Sequence, residues 1–222
     1  RPIGAGEQVL GQDLVDHLST EPRGTIKVSL PVSIAQNEMA KILPNFLKKY
    51  PEIKVQMMIT NRRVDIINEG FDLALRVRSS LDDDPNLVIR QFEKIEQHLF
   101  ASQGYLNEFG DLKNPEQLSE HKILSMAEDH PEQFLTLQNG QQEQKKIRVN
   151  PTVMGSDLNM LAQLAASGSG VTLLPDNVVE HYISSGELVR VLPDWKAPHG
   201  IFHAVYPSRR GLLPAVRVFI DY

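Results

Sequence analysis

Apolar and polar positions along the chain follow two rhythms. The first is helical. Leu10, Leu14 and Leu18 recur at i, i+4 and i+8 with Val15 between them, which predicts an amphipathic helix over 5–18. Glu21-Pro22-Arg23-Gly24 breaks it. The second rhythm alternates strands with helices. Residues 25–30 alternate and carry β-branched side chains, so they predict a strand. Ser33 stands where a cap would open a helix whose apolar face is Met39, Ile42, Leu43, Phe46, Leu47 and Tyr50. Pro44 lies inside it, which predicts a local distortion, and Pro51 ends it. A strand over 53–59, a short helix over 64–69 closed by Gly70, and a strand over 72–77 follow. This alternation implies crossover units and a parallel sheet.

Asp82-Asp83-Asp84-Pro85 reads as a solvated loop, since three adjacent carboxylates do not have metal-ligand spacing. Residues 87–102 are strand-like but too long for one ordinary strand, which predicts a passage between two lobes. The second half repeats the rhythm. Helices are predicted over 102–109, 115–120, 157–166 and 176–184, and strands over 123–126, 171–174, 188–192 and 201–206. Asn139-Gly140 between 134–138 and 146–149 signals a hairpin with a loose loop. A final helix begins at Pro214.

Composition then removes function classes. The 222 residues hold no cysteine, which excludes disulfides, thiolate metal sites and cysteine nucleophiles, and fits a reducing cytoplasm. No apolar run approaches a membrane span, and the start at Arg1 carries no signal-peptide core. The net charge of −5 and the scatter of basic residues argue against a free-standing DNA-binding domain. Gly168-x-Gly170 lacks a third glycine, so there is no dinucleotide fingerprint, and neither a P-loop nor a G-x-S-x-G elbow is present. His199 and His203 lie near a strand without a further ligand. The expectation is a protein with no metal, no cofactor and no enzymatic activity.

An ordered set of segments resembles one family. Glu21 to Val28 looks like the linker-to-first-strand junction of LysR-type transcriptional regulators. Leu43-Pro44-x-Phe46-x-x-x-Tyr50-Pro51-x-Ile53 looks like that family's first helix and second strand, including the proline. Gly70-Phe71-Asp72-Leu73-Ala74-Leu75-Arg76 resembles its third strand, and Gly168-x-Gly170-Val171-x-Leu173-Leu174-Pro175 its "GxGIALLP" segment. Leu188-Val189-x-Val191-Leu192 with Trp195 resembles the end of its second lobe. The resemblance implies an α/β fold of two Rossmann-like lobes joined by two crossover strands, like a type 2 periplasmic binding protein. It places the end of a linker helix at 1–23, lobe I at 24–98 plus 206–222, and lobe II with its crossovers at 99–205. Residues 99–101 and 202–205 would be the crossovers. It further implies a bacterial, cytoplasmic, homodimeric effector sensor, tetrameric in the full-length protein. Promoter DNA would be read only by an N-terminal winged helix-turn-helix that this sequence lacks. The runner-up is a solute-binding protein of a transport system, which shares the two-lobe fold.

On this mapping an effector lies at the carboxyl ends of the parallel strands. Pro31, Val32 and Ser33 precede a helix N-terminus, which attracts anions, although Ser33 also suits a simple cap. Thr60 ends the second strand. Arg76 ends the third and either anchors a carboxylate or pairs with Asp72 or a loop aspartate. Met126, Gly155, Ser156 and Leu174 are the matching lobe II positions, Asp157 is a cap, and Phe202 falls between the lobes. The expected ligand is a small acid rather than a cation.

Overall fold

The structure, a computed structural model, describes residues 21–81, 84–126, 133–208 and 212–222. The helix expected over 5–18 lies outside these residues. Among the described residues, twelve strands form two sheets. In the first, β1 (Gly24–Leu30), β2 (Ile53–Ile59), β3 (Leu73–Arg78), β4 (Leu87–Ile95) and β12 (Gly200–Pro207) take the order β2-β1-β3-β12-β4. β1 runs parallel to β2 and β3, and β12 runs antiparallel to β3 and β4. This sheet and the helices on it form lobe I.

The second sheet contains β5 (Gln97–Ala101), β6 (Ile123–Met126), β7 (Gln133–Asn139), β8 (Gln144–Val149), β9 (Pro151–Gly155), β10 (Val171–Pro175) and β11 (Val189–Lys196), in the order β8-β7-β11-β5-β10-β6-β9. It forms lobe II. The chain changes sheets at Glu96 and returns across 197–199. Residues 99–101 and 202–205 therefore lie within β5 and β12 rather than between the sheets. Glu96, on the outgoing connection, and Lys196, the last residue of β11, form an ion pair of 2.5 Å. That hydrogen bond holds the Glu96 carboxyl below its ordinary range.

Helix α1 has three parts: Val32–Ile34, a π-helical turn Ala35–Met39, and Ala40–Lys49. The helix passes through Pro44, and the irregular turn lies before it rather than at it. Ile34, Ala35, Met39 and Phe46 insert beside Ile26, Val28, Leu30 and Leu73 to form the lobe I core. The terminal helix α5 (Pro214–Asp221) adds Ala215, Val216 and Ile220 to it, and Phe219 meets Phe46 edge-on at 5.2 Å. Lobe II buries Leu99, Tyr105, Leu118 and Leu137 on one face of its sheet. On the other face are Phe100, Leu124, Leu161 and Leu174, under α3 (Leu158–Ala166) and α4 (Asp176–Ser185). Helix α2 (Gln103–Phe109) is capped by Ser102, whose side chain accepts from the Tyr105 N–H. The Gly168-x-Gly170 pair has a steric cause. Gly168 takes φ +83° just after α3, and a Cβ on Gly170 would lie 2.4 Å from the Lys122 carbonyl oxygen.

The helix expected over 64–69 does not form, and the segment is a series of turns. Its acidic side chains take the backbone donors that a helix would use. Glu69 accepts from the Asp65 N–H at 2.9 Å, and Asp65 accepts from the Asn68 N–H and side-chain amide. β9, an edge strand paired with β6, carries little alternation of its own and was absent from the sequence expectations.

Candidate functional site

Between the lobes lies a cleft of about 590 Å³. Its lobe I wall is built from the ends of β1, β2 and β3 and the segments that follow them. There, Ser29, Pro31, Ser33, Thr60 to Val64 and Ala74 to Ser79 face the gap. The lobe II wall is Gln97, Met126, Ser156, Leu158, Pro175 and Asn177. Parallel strands that leave the sheet at one edge bring their following turns to one rim, which explains why residues 30 to 45 positions apart meet here.

Of the expected residues, the cleft gathers Pro31, Ser33, Thr60, Arg76, Met126 and Ser156. Val32, Gly155, Leu174 and Phe202 are placed elsewhere. Val32 is half-buried behind Pro31, and its N–H donates to Asn61 Oδ1 at 3.1 Å. Gly155 sits under Leu161. Leu174 is buried in the lobe II core, and the following Pro175 reaches the gap instead. Phe202 belongs to β12 and packs on Phe92, with ring centroids 5.1 Å apart. Ser33 does not cap α1. The helix starts at Val32, Pro31 holds the cap position, and Asn61 from the neighbouring turn supplies the acceptor. Asp157 does cap α3, accepting from the N–H groups of Asn159 and Met160.

The charged groups that line the cleft among the described residues are Arg62, Arg63, Arg76 and Arg78, all from lobe I. Arg62 forms a two-pronged pair with Glu69 at 3.0 and 2.7 Å, which lowers the Glu69 carboxyl to about 2. The arginine itself is mostly exposed, so the pair adds little to stability. Arg76 lies within β3 rather than at its end, and is only 5% exposed. Its Nη2 donates to the Val64 carbonyl at 3.1 Å, which fixes the guanidinium plane at the rim. Asp72, one of its suggested partners, accepts from the Lys27 N–H at 2.7 Å. Arg78 donates to the carbonyl of Val77.

Sequence reading missed Asn61, Arg62, Arg63, Arg78 and Asn177. Asn61 had a visible signal, an amide directly after a strand and able to cap a neighbouring helix. Arg78 had only the alternation of β3, along which Arg76 and Arg78 share one face.

A family model described as the LysR substrate binding domain matches residues 19–222. An HTH-type transcriptional regulator of Xanthomonas campestris pv. campestris is 30% identical over 225 aligned residues, covering 100% of this chain and 63% of that protein. The chain thus spans less than two thirds of that relative's length. The regulatory domain of AphB in Vibrio vulnificus has a TM-score of 0.76 at 30% identity, covering 90% of this chain and 97% of that one. The CrgA regulatory domain from Neisseria meningitidis has a TM-score of 0.78 at 25% identity, with coverage of 90% and 97%.

Proposed function

The chain belongs to the LysR substrate-binding-domain family, and from that premise we propose that it senses a small acid between its lobes on behalf of a bacterial transcription regulator. The observation that carries the ligand class is the cleft's one-sided lining: Arg62, Arg63, Arg76 and Arg78 stand on the lobe I wall, Arg62 with its charge offset by Glu69, and no Asp, Glu or Lys lines the cleft among the described residues. An arginine fork suits a carboxylate, and Arg76 is pre-set by its bond to Val64. Met126, Leu158 and Pro175 supply apolar surface opposite. The HTH-type relatives support a helix-turn-helix, outside this sequence, as the reader of promoter DNA, and cytoplasmic work follows from that role. They give no support to a transport reading. No helix among the described residues is long and apolar enough to cross a membrane.

The test is a thermal-shift screen of metabolite acids, repeated on Arg76→Ala and Thr60→Val. A ligand at about 100 times its Kd should stabilise the fold by roughly 2.7 kcal/mol. A hit that binds both variants as tightly as the parent removes the proposed anchor, and hits confined to cations remove the acid class.

The second part of the proposal is a homodimer with the lobes of two copies antiparallel. Among the described residues β2 is an open sheet edge, and Met57, Met58 and Ile59 on it are exposed together with Ile42 and Leu47 of α1. Met160 on α3 is the apolar counterpart that a second copy offers. The full-length protein would add linker helices and reach a tetramer. Light scattering at tens of micromolar should give twice the chain mass for this fragment, and a strictly monomeric mass refutes the arrangement.

A further inference from the structure

The lobes touch through polar side chains at the mouth of the cleft, and these contacts converge on one unusual piece of backbone. The π-helical turn Ala35–Met39 buries its two ends, Ala35 and Met39, in the lobe I core. Its middle residues, Gln36, Asn37 and Glu38, all reach lobe II. Asn37 Nδ2 donates to Asn159 Oδ1 at 3.4 Å, and Asn159 Nδ2 donates to Gln36 Oε1, so one amide serves both. Asn177 Nδ2 donates to Glu38 Oε1 at 2.9 Å. Asn61 adds a fourth crossing, to the carbonyl of Ser156.

Consecutive residues of an α-helix point roughly 100° apart, so three in a row do not face one neighbour. The wider π turn narrows that fan, and such turns favour functional positions. The receiving groups are equally placed. Asn159 and Asn177 are each the second residue of a lobe II helix. Asn159 is held there by its own N–H bond to Asp157. Helix α4 has Pro175 at its cap position and no side-chain acceptor of its own. The Glu38 carboxylate arrives at that end through the Asn177 amide, while Asp176 of the first turn is engaged by His98 and Arg190. The contact is also incomplete, because Asn177 Oδ1 is buried with no partner among the described residues. Closing the lobes therefore gains several exposed or half-exposed bonds and leaves one acceptor unsatisfied. That balance suits a contact that forms and breaks.

We propose that Gln36, Asn37 and Glu38 form a latch that holds the lobes closed before any ligand enters, and that its strength sets the open fraction through which the cleft is reached. A ligand's apparent affinity then depends on residues that need not touch it. The proposal concerns the lobes alone and stands apart from the identity of the effector.

The absence of cysteine allows clean labelling. Spin labels on Lys41→Cys in α1 and Glu180→Cys in α4 straddle the mouth. Labelled chain is diluted in unlabelled chain so that only distances within one chain count, and no ligand is added. The parent should give one dominant short distance. Asn159→Ala with Asn177→Ala should raise the longer-distance fraction by roughly tenfold, as expected when bonds of this kind are lost. Gln36→Ala with Asn37→Ala, made on the other lobe, should do the same, while Gln56→Ala, an exposed amide away from the mouth, should change nothing. An unchanged distance distribution in either latch pair overturns the proposal, as does an equal shift from Gln56→Ala. The substituted side chains are exposed or half-exposed, and circular dichroism of each variant checks that the fold is retained.

Discussion

The lobe I wall of the cleft brings four guanidinium groups to the gap, whereas the lobe II wall opposite brings two side-chain amides, a serine and three apolar side chains. The difference has a structural origin. Lobe I meets the gap mainly with strand ends and turns, where arginines project on one face of β3 and from the segment after β2. Lobe II meets it with helix N-termini, which are positive in their own right but already engaged. Asp157 takes the donors of α3, and Glu38 of lobe I stands at the start of α4. On the proposed reading, an anion is drawn to the arginines and not to the helix ends across from them. A bound acid should lie with its charge on lobe I and its body on lobe II.

The largest test of that polarity is Arg76→Ala. Losing a hydrogen bond to a charged group costs about 1.5–3 kcal/mol, so titration calorimetry should show an acid bound roughly 10- to 150-fold more weakly. Arg76→Lys should fall between, since it keeps the charge and loses the fork. Met126→Ala is the lobe II counterpart. Loss of one or two buried methylene equivalents costs about 1 kcal/mol, or roughly fivefold. Raising the salt concentration should weaken binding to the parent and to Met126→Ala alike, because the charged wall is intact in both, and should matter less in Arg76→Ala. If the Met126 variant loses more than the Arg76 variant, the two walls have been assigned the wrong parts.

The smallest effect is a difference in acid response. Burial lowers the His121 imidazole of lobe II below its ordinary 6.5, where it contacts the Tyr105 hydroxyl at 3.1 Å. The unfolded chain then binds this proton more readily than the folded one, so lobe II loses stability as the pH falls below about 6.5. In lobe I, Glu69 is lowered from 4.5 to about 2 by Arg62, so its contribution is kept above 4.5 and lost between there and about 2. Amide exchange followed from pH 7 downward should therefore loosen the Tyr105–His121 region before the turn at Arg62 and Glu69. His121→Phe should remove the early phase. The reverse order counts against the assignment.

Much of the frame could be read from the chain, because the strands of both cores are marked by runs such as Ile26-x-Val28-x-Leu30 and Val171-x-Leu173-Leu174. The pairing of Leu43-Pro44 with Phe46, Tyr50 and Ile53 also survived into the structure, with the proline inside an unbroken helix. The cleft was only partly legible. Thr60 follows the end of β2, which periodicity locates, whereas Arg76, expected at the end of its strand, reaches the cleft from within β3, two residues before that end. Leu174 and Phe202 are one residue or one strand face away from the gap, and a single residue decides which side of a sheet a side chain takes. Asn61 follows a strand directly, a signal that marks a cap but not the helix it serves, and the lobe II partners of the 35–39 turn are distant in sequence, which no local pattern encodes. The 64–69 segment was lost to competition between carboxylates and backbone.

The sheet order of lobe I bears on how the chain is made. Every strand of lobe II lies between residues 97 and 196, so that lobe has all its partners before the last strand of lobe I leaves the ribosome. β12 is inserted between β3 and β4, and among the described residues β4 pairs with no other strand of its sheet. Until residues 200–207 are synthesised, β4 is an orphan, and the surface that carries the arginines has no closed sheet beneath it. Pairings this distant in sequence form slowly. The lobe completed first in time is the one that begins second in sequence. The arginine-bearing wall is finished only by the final stretch of translation, so a chain truncated before residue 200 would carry a completed lobe II strand set beside an unfinished lobe I wall.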